Sequence, residues 1–222
     1  METIRQNSFF LRDVFGRERI SSLFSGLLLL GIAFWLDHLA SVYAFTYSSF
    51  ATTRHVGDLF LDNLPVVNLN FIIIQGALLT IVFGTLFVLR RPRYFLFSLK
   101  AVALFIAIRA FFISLTHVGI YPGQITPGAG LLDSIYLYYN FQTGFFFSGH
   151  TALTFLMAII FWNRPPARAA FLSLSLIFGV AVLLAHIHYS IDVFAAPFMA
   201  YGIFKIAERL FPRDYELIES AL

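Results

Sequence analysis

Residues 27–36 read LLLLGIAFWL, and the apolar stretch around them is bounded by Arg19 and Asp37. A helix that crosses a bilayer needs about 20 mostly apolar residues, roughly 17 to 25, and this stretch approaches that standard. Five more do so along the chain: about Val66 to Leu89, Ala101 to about His117, about Phe145 to Trp162, Ala169 to Ala185, and His188 to about Lys205. Composition points the same way, with 59% of the 222 residues hydrophobic, 18% aromatic and 12% charged, and a mean hydropathy of +0.80. About a quarter of the residues of a water-soluble domain are charged, so a soluble enzyme is excluded. The 28 Phe must be buried somewhere, which excludes a disordered chain. The expected fold class is all-α: an integral membrane bundle of six transmembrane helices forming a single membrane domain over residues 1–222. Within it, 1–20 is an N-terminal segment, 21–206 the core and 207–222 a tail.

Orientation follows from the Lys and Arg. Arg5, Arg12, Arg17 and Arg19 precede the first segment, Arg90, Arg91, Arg93 and Lys100 separate the second from the third, Arg164 and Arg168 the fourth from the fifth, and Lys205, Arg209 and Arg213 close the chain. These share one face, which the positive-inside bias makes cytoplasmic. The other face carries only Arg54, and Arg109 falls inside the third segment. Both termini are therefore expected in the cytoplasm. This pattern also explains the sequence pI near 9.3 without a nucleic-acid partner. All six His, with Asp37, Asp58, Asp62, Asp133 and Asp192, fall at or near the outer face, so any chemistry is expected there. The first helix is read as its own insertion signal, since charged residues fill Met1 to Arg19. Zero Cys leaves no disulfide framework and no thiolate metal site. The outer connection from Val118 to Gly144 turns from Gly/Pro-rich to aromatic and is expected in the headgroup zone, where Tyr is favoured.

Two short stretches on the outer face could do chemistry. Ser148-Gly149-His150-Thr151 stands at the start of the fourth segment. A helix N-terminus offers unpaired N–H groups and partial positive charge to an anion such as phosphate, Ser148 can cap it, and Gly149 permits close approach to the backbone. His150 then lies beside the anion. The second stretch, His186 to Val193, reads HIHYSIDV. If the sixth helix has begun, His188 and Asp192 share a face at four-residue spacing. A carboxylate holding one imidazole nitrogen leaves the other as nucleophile or base, so two His and a carboxylate suit phosphoryl transfer. Arg109, deep in its helix, must face the interior or snorkel, and its fork fits a phosphate or carboxylate. A haem or metal protein and a transporter with a His/Asp relay stay open as non-enzymatic alternatives.

SGHT, followed 38 residues after its His by HYSID, resembles the six-helix type 2 phosphatidic acid phosphatase superfamily, and within it the sphingomyelin synthase branch. Phe147 to Thr151 matches FSGHT, His186 to Val193 matches HxHYTxDV with Ser190 for Thr, and Arg109, Thr116, Pro122 and Gly123 match RxxxxxxTxxxxPG. The Lys/Arg motif of the phosphatases is lacking, and Ala181 and Val182 stand where they carry a Ser-Arg pair. The resemblance implies His188 as nucleophile, Asp192 orienting it and His150 as acid and base, with Arg109, Ser148, Gly149, Thr151 and Tyr189 binding substrate and no cofactor or metal. It implies transfer of a phospho-headgroup from a phospholipid donor to a lipid alcohol or to water, in a bacterial cytoplasmic membrane with the site on the outer face. A lipid phosphate phosphatase or phospholipase C-type hydrolase is the alternative. Gln142, Thr143 and Gly144 replace the synthase CGD, and Ile187 replaces its Glu between the two His, which removes two acids that a choline headgroup would meet.

Overall fold

Small residues let the first helix, α1 (Arg17–Ser48), lie close along the third. Ala33, Ala40, Ser41 and Ala44 are its buried positions, and a methyl on Gly26 would come within 2.8 Å of Leu99 Cδ2. Membrane helices pack through small residues in this way because lipid competes for every large apolar side chain. Leu28, Phe34 and Trp35 of the same helix are exposed, as a lipid-facing surface requires. The structure, a computed structural model, describes residues 17–48, 55–115, 117–126, 128, 130 and 146–219. Thr116, Asp133 and the aromatic part of the outer connection lie outside them, as do Gln142, Thr143 and Gly144.

After α1 come a single π-helical turn (Phe71–Gln75), α2 (Gly76–Leu89), α3 (Pro92–Leu115), α4 (Gly149–Ile160), α5 (Pro165–Leu184), α6 (Ser190–Leu210) and a short α7 (Pro212–Glu219). Five helical spans are long and apolar enough to cross a membrane: Arg19–Tyr47, Phe71–Leu89, Pro92–Leu115, Pro165–Leu184 and Ser190–Leu210. The chain is thus an all-helical, multi-pass membrane protein, with no strand among the described residues. Gly149–Ile160 is apolar but shorter; its 12 residues make about 18 Å of helix at 1.5 Å per residue.

That short helix lies in the core of the bundle. It packs against both α5 and α6, and Thr151, Ala152, Thr154, Leu156, Met157, Ala158 and Ile160 are all buried. Phe161 just beyond it stacks on Tyr94 of α3 with ring centroids 4.5 Å apart, and Phe97, Phe147 and Leu156 are fully buried nearby in the same core. Burying such rings contributes about 1.5–3 kcal/mol each on the area scale, though in a membrane the gain comes from close packing rather than from escape from water.

Two of the boundaries that differ from the sequence reading change where a charge sits. The helix after the basic loop begins at Pro92, so Lys100 is no loop charge: it lies about two turns inside α3 and is buried. Its Nζ contacts Asp214 Oδ2 of α7 at 2.6 Å and Ser22 Oγ of α1 at 2.7 Å, and Ser22 Oγ also donates to Asp214 Oδ1 at 2.8 Å. These bonds bring the starts of α1 and α3 and the C-terminal helix to one end of the bundle. The first helix also runs 11 residues past Asp37 to Ser48, so Asp37 is a helix-interior acid about 16 Å from that end.

Candidate functional site

Ser148 is the N-cap of α4, with backbone angles outside the helical region and its side chain accepting from Thr151 N at 3.5 Å. The two hydroxyls are 3.2 Å apart. Thr151 is thereby turned toward Ser148, and both residues are buried. The first N–H groups of α4 belong to Gly149 and His150, the end of a helix that attracts anions.

Arg109 of α3 reaches this helix start. Its Nε donates to Phe147 O at 3.1 Å, and a methyl on Gly149 would meet that Nε at 3.3 Å and Cζ at 3.7 Å. Gly149 therefore lets the guanidinium lie against the first turn of α4. On its other side Arg109 Nη1 is 3.7 Å from Asp37 Oδ1 of α1. Asp37 was placed on the outer face by sequence, but no sequence signal linked it to Arg109.

His188 and Asp192 meet, by a route the helical spacing did not anticipate. Helix α6 starts at Ser190 and Tyr189 is its N-cap, so His188 precedes the helix. The contact forms because Asp192, three residues into the first turn, folds back over the cap: its Oδ2 accepts from Tyr189 N at 3.1 Å and lies 3.4 Å from His188 Nδ1. Both side chains are buried. Ser148 N donates to the backbone carbonyl of Asp192 at 3.0 Å, which ties the two motif turns together. His150 is within electrostatic range of both His188 and Arg109 and meets the backbone of Ile73; its ring packs 5.6 Å from that of Phe178. Tyr189 points away from this centre, donating to Gly119 O at 2.8 Å.

His186 reverses the chain between α5 and α6 with φ 53°, a left-handed conformation costing a residue with a Cβ about 1–2 kcal/mol. It is buried, edge-on to Tyr121 at 5.3 Å, and neither ring nitrogen has a hydrogen-bond partner among the described residues.

The turn over residues 58–64 adds residues that the motifs did not reveal. Asp58 accepts from Phe60 N at 2.9 Å, Leu61 N at 3.1 Å and Ser190 N at 2.7 Å. Burial pushes its carboxyl up, but the N–H groups of Ser190, Leu61 and Phe60 and the Ser190 hydroxyl outweigh burial and hold it below its ordinary value. Asp62 accepts from Asp58 N at 3.1 Å and from the Tyr121 hydroxyl. That bond, with burial second, pushes the Tyr121 phenol up to about 12, so it stays protonated as a donor. No group of His, Asp and Glu among the described residues is arranged to hold a metal ion.

The arrangement places the His150 and His188 imidazoles, the Asp192 carboxylate, the Arg109 guanidinium with its partner Asp37 and a helix N-terminus at the starts of α4 and α6, opposite the Lys100–Asp214 pair. No curated protein and no solved structure matches the chain. Residues 143–209, which hold both motif turns, match the family model described as PAP2 superfamily C-terminal. That match supports the type 2 phosphatidic acid phosphatase superfamily, whose members are phosphatases and phosphotransferases acting on lipid phosphates, and is consistent with an enzyme of this kind.

Proposed function

We propose that the protein is a six-span membrane phosphotransferase of the sphingomyelin synthase type, moving a phospho-headgroup from a phospholipid to a lipid alcohol through a phosphohistidine. The single observation that carries the reading is the coupling of the two motif turns: His188 against Asp192 at 3.4 Å, with the Asp192 carbonyl bonded to the N-cap of the helix that bears His150.

In this reading the donor phosphate lies at the N-terminus of α4, between the N–H groups of Gly149 and His150 and the Arg109 fork, beside the Ser148 and Thr151 hydroxyls and with Tyr189 flanking the turn. Asp192 accepts from Nδ1–H of His188, leaving the Nε2 lone pair to attack phosphorus. The bond from phosphorus to the lipid oxygen breaks, and His150 protonates that oxygen so that diacylglycerol departs. His150 then takes the proton of the acceptor hydroxyl, whose oxygen attacks phosphorus, and the N–P bond breaks to restore His188. Charge at the α4 N-terminus and at Arg109 offsets the negative charge spread over the phosphoryl oxygens.

Both termini are cytoplasmic and the site faces outward, by the charge bias of the loops and by the Ser22–Lys100–Asp214 contacts that bring the first and last helices to one end. An even number of crossings follows, with the α4 segment as the sixth span. Purified protein given headgroup-labelled phospholipid, with and without ceramide or diacylglycerol, tests the reading. Label is expected in the acceptor lipid. Label found only in free phospho-headgroup or inorganic phosphate, whatever acceptor is supplied, would replace transfer by hydrolysis.

A further inference from the structure

Asp58 spends both carboxylate oxygens on backbone N–H groups. Two of the three bonds are local and shape the turn over residues 58–64, through Phe60 and Leu61. The third, to Ser190 at 2.7 Å, spans 132 positions of sequence and ends on the first residue of α6, between His188 and Asp192. The first N–H groups of a helix have no partner within it. The N-cap here is Tyr189, whose hydroxyl donates to Gly119 O, and no Ser, Thr, Asp or Asn stands at the cap to take the Ser190 N–H locally. Asp192 takes the Tyr189 N–H and Asp58 takes the next. Asp58 itself is 7% exposed and is braced through its own N–H by Asp62, which also accepts from Tyr121.

We propose that Asp58 is a positioning residue for the reaction: it fixes the first turn of α6 from outside, and so sets the approach of His188 to Asp192 and to phosphorus. The proposal rests on the reading of His188 and Asp192 as the phosphoryl-accepting pair. The physical reason is tolerance. At 3.4 Å the His188 to Asp192 contact is already at the long end of a hydrogen bond, so a small drift of the turn breaks it. The turn is pinned on one side by Ser148 N on the Asp192 carbonyl and on the other by Asp58 on Ser190 N. Release of either pin leaves the helix intact but lets the nucleophile wander, and misplacement by about 1 Å costs on the order of a hundredfold.

Three substitutions separate this role from a purely structural one. Asp58→Asn puts an amide N–H where a backbone N–H must be accepted. Ser190→Pro deletes the N–H itself at a position where proline is favoured, and Tyr189, at φ −65° and ψ 155°, already has the conformation that a residue before proline needs. Ser190→Ala keeps the N–H and loses only the hydroxyl. With the transfer assay in detergent micelles, Asp58→Asn and Ser190→Pro are each expected to lower kcat about ten- to a hundredfold with KM nearly unchanged. Ser190→Ala is expected to stay within about threefold of wild type, and the double variant Asp58→Asn/Ser190→Pro to be no slower than the worse single one. Hydrogen exchange over residues 186–193 should rise in both impaired variants. If Asp58→Asn does not fold, Ser190→Pro carries the test. Additive losses in the double variant, or a normal kcat per folded molecule alongside lowered thermal stability, would overturn the positioning role while His188→Ala remained inactive. A folded wild type inert toward every phospholipid would instead overturn the reading of the site, and the positioning role with it.

Discussion

Asp192→Asn isolates what the carboxylate does chemically. In the wild type one oxygen, Oδ2, serves two partners: it accepts from Tyr189 N at 3.1 Å and faces His188 Nδ1 at 3.4 Å. Asparagine keeps an acceptor for the cap, so the loss of stability should stay within about 1 kcal/mol. The amide oxygen that stays on the cap still faces Nδ1 but is neutral, so it no longer holds the Nδ1–H tautomer firmly or offsets the positive charge that the imidazole develops when, in the proposed mechanism, Nε2 attacks phosphorus. General acid–base and nucleophile-orienting groups are worth about 10²- to 10⁴-fold, or roughly 2.7–5.5 kcal/mol of activation free energy at 1.36 kcal/mol per decade. The cost in rate thus exceeds the cost in folding severalfold, and the two can be read apart. The assay is steady-state kcat with headgroup-labelled phospholipid, alongside thermal melting of the same preparation. A kcat within about threefold of wild type in folded protein would refute the tautomer argument and reduce Asp192 to a helix cap.

Arg109→Lys keeps the charge but loses the fork that bonds Phe147 O, so a KM for donor lipid raised about tenfold is expected with membrane insertion retained; lipid titration measures it. Lys100→Met leaves Asp214 buried without its cation and should cost about 3–5 kcal/mol of stability, whereas Lys100→Met/Asp214→Leu should recover most of that loss, as thermal melting in detergent will report. The lowered Asp58 carboxyl contributes stability that is complete above its ordinary value and is lost as pH falls through its folded value. Melting temperature should therefore fall on acidification below the usual carboxylate range, and less steeply in Asp58→Asn. Single cysteines at Thr3 and Gly130, probed on intact cells with an impermeant maleimide, should label only at 130; labelling at 3 alone would invert the topology.

The spans were legible because lipid imposes one simple rule on a helix surface, and the runs around residues 27–36, 66–89 and 169–185 obey it. Their ends were less so. The sequence shows Lys100 as one of a basic cluster, and only tertiary contact with Asp214 and Ser22 explains how a charge can sit inside α3. The same holds for Asp37, which reads as the polar end of a span yet lies within one, where Arg109 meets it. In both cases a charge is stabilised by a partner distant in sequence, and single-sequence hydropathy contains no term for that.

The motif turns were legible for a reason that was partly mistaken. Four-residue spacing suggested one helical face, whereas His188 lies before α6 and meets Asp192 because the acid reaches back over Tyr189 as a cap. A cap and a helical face give the same HxxxD string, so the string alone cannot separate them. The difference has a mechanical consequence. A pair on one face would be held by the helix itself, while a residue before the helix is held only by what pins the turn. The pins are Ser148 N on the Asp192 carbonyl and Asp58 on Ser190 N, and neither belongs to the HxxxD stretch. Asp58 was invisible as a functional residue because its partner is a backbone N–H, which every residue but proline carries and which therefore leaves no trace in side-chain identity. On the proposed reading the geometry of His188 thus depends on an acid in the turn 58–64, far in sequence from the matched segment 143–209 that carries the imidazoles but in contact with it at Ser190.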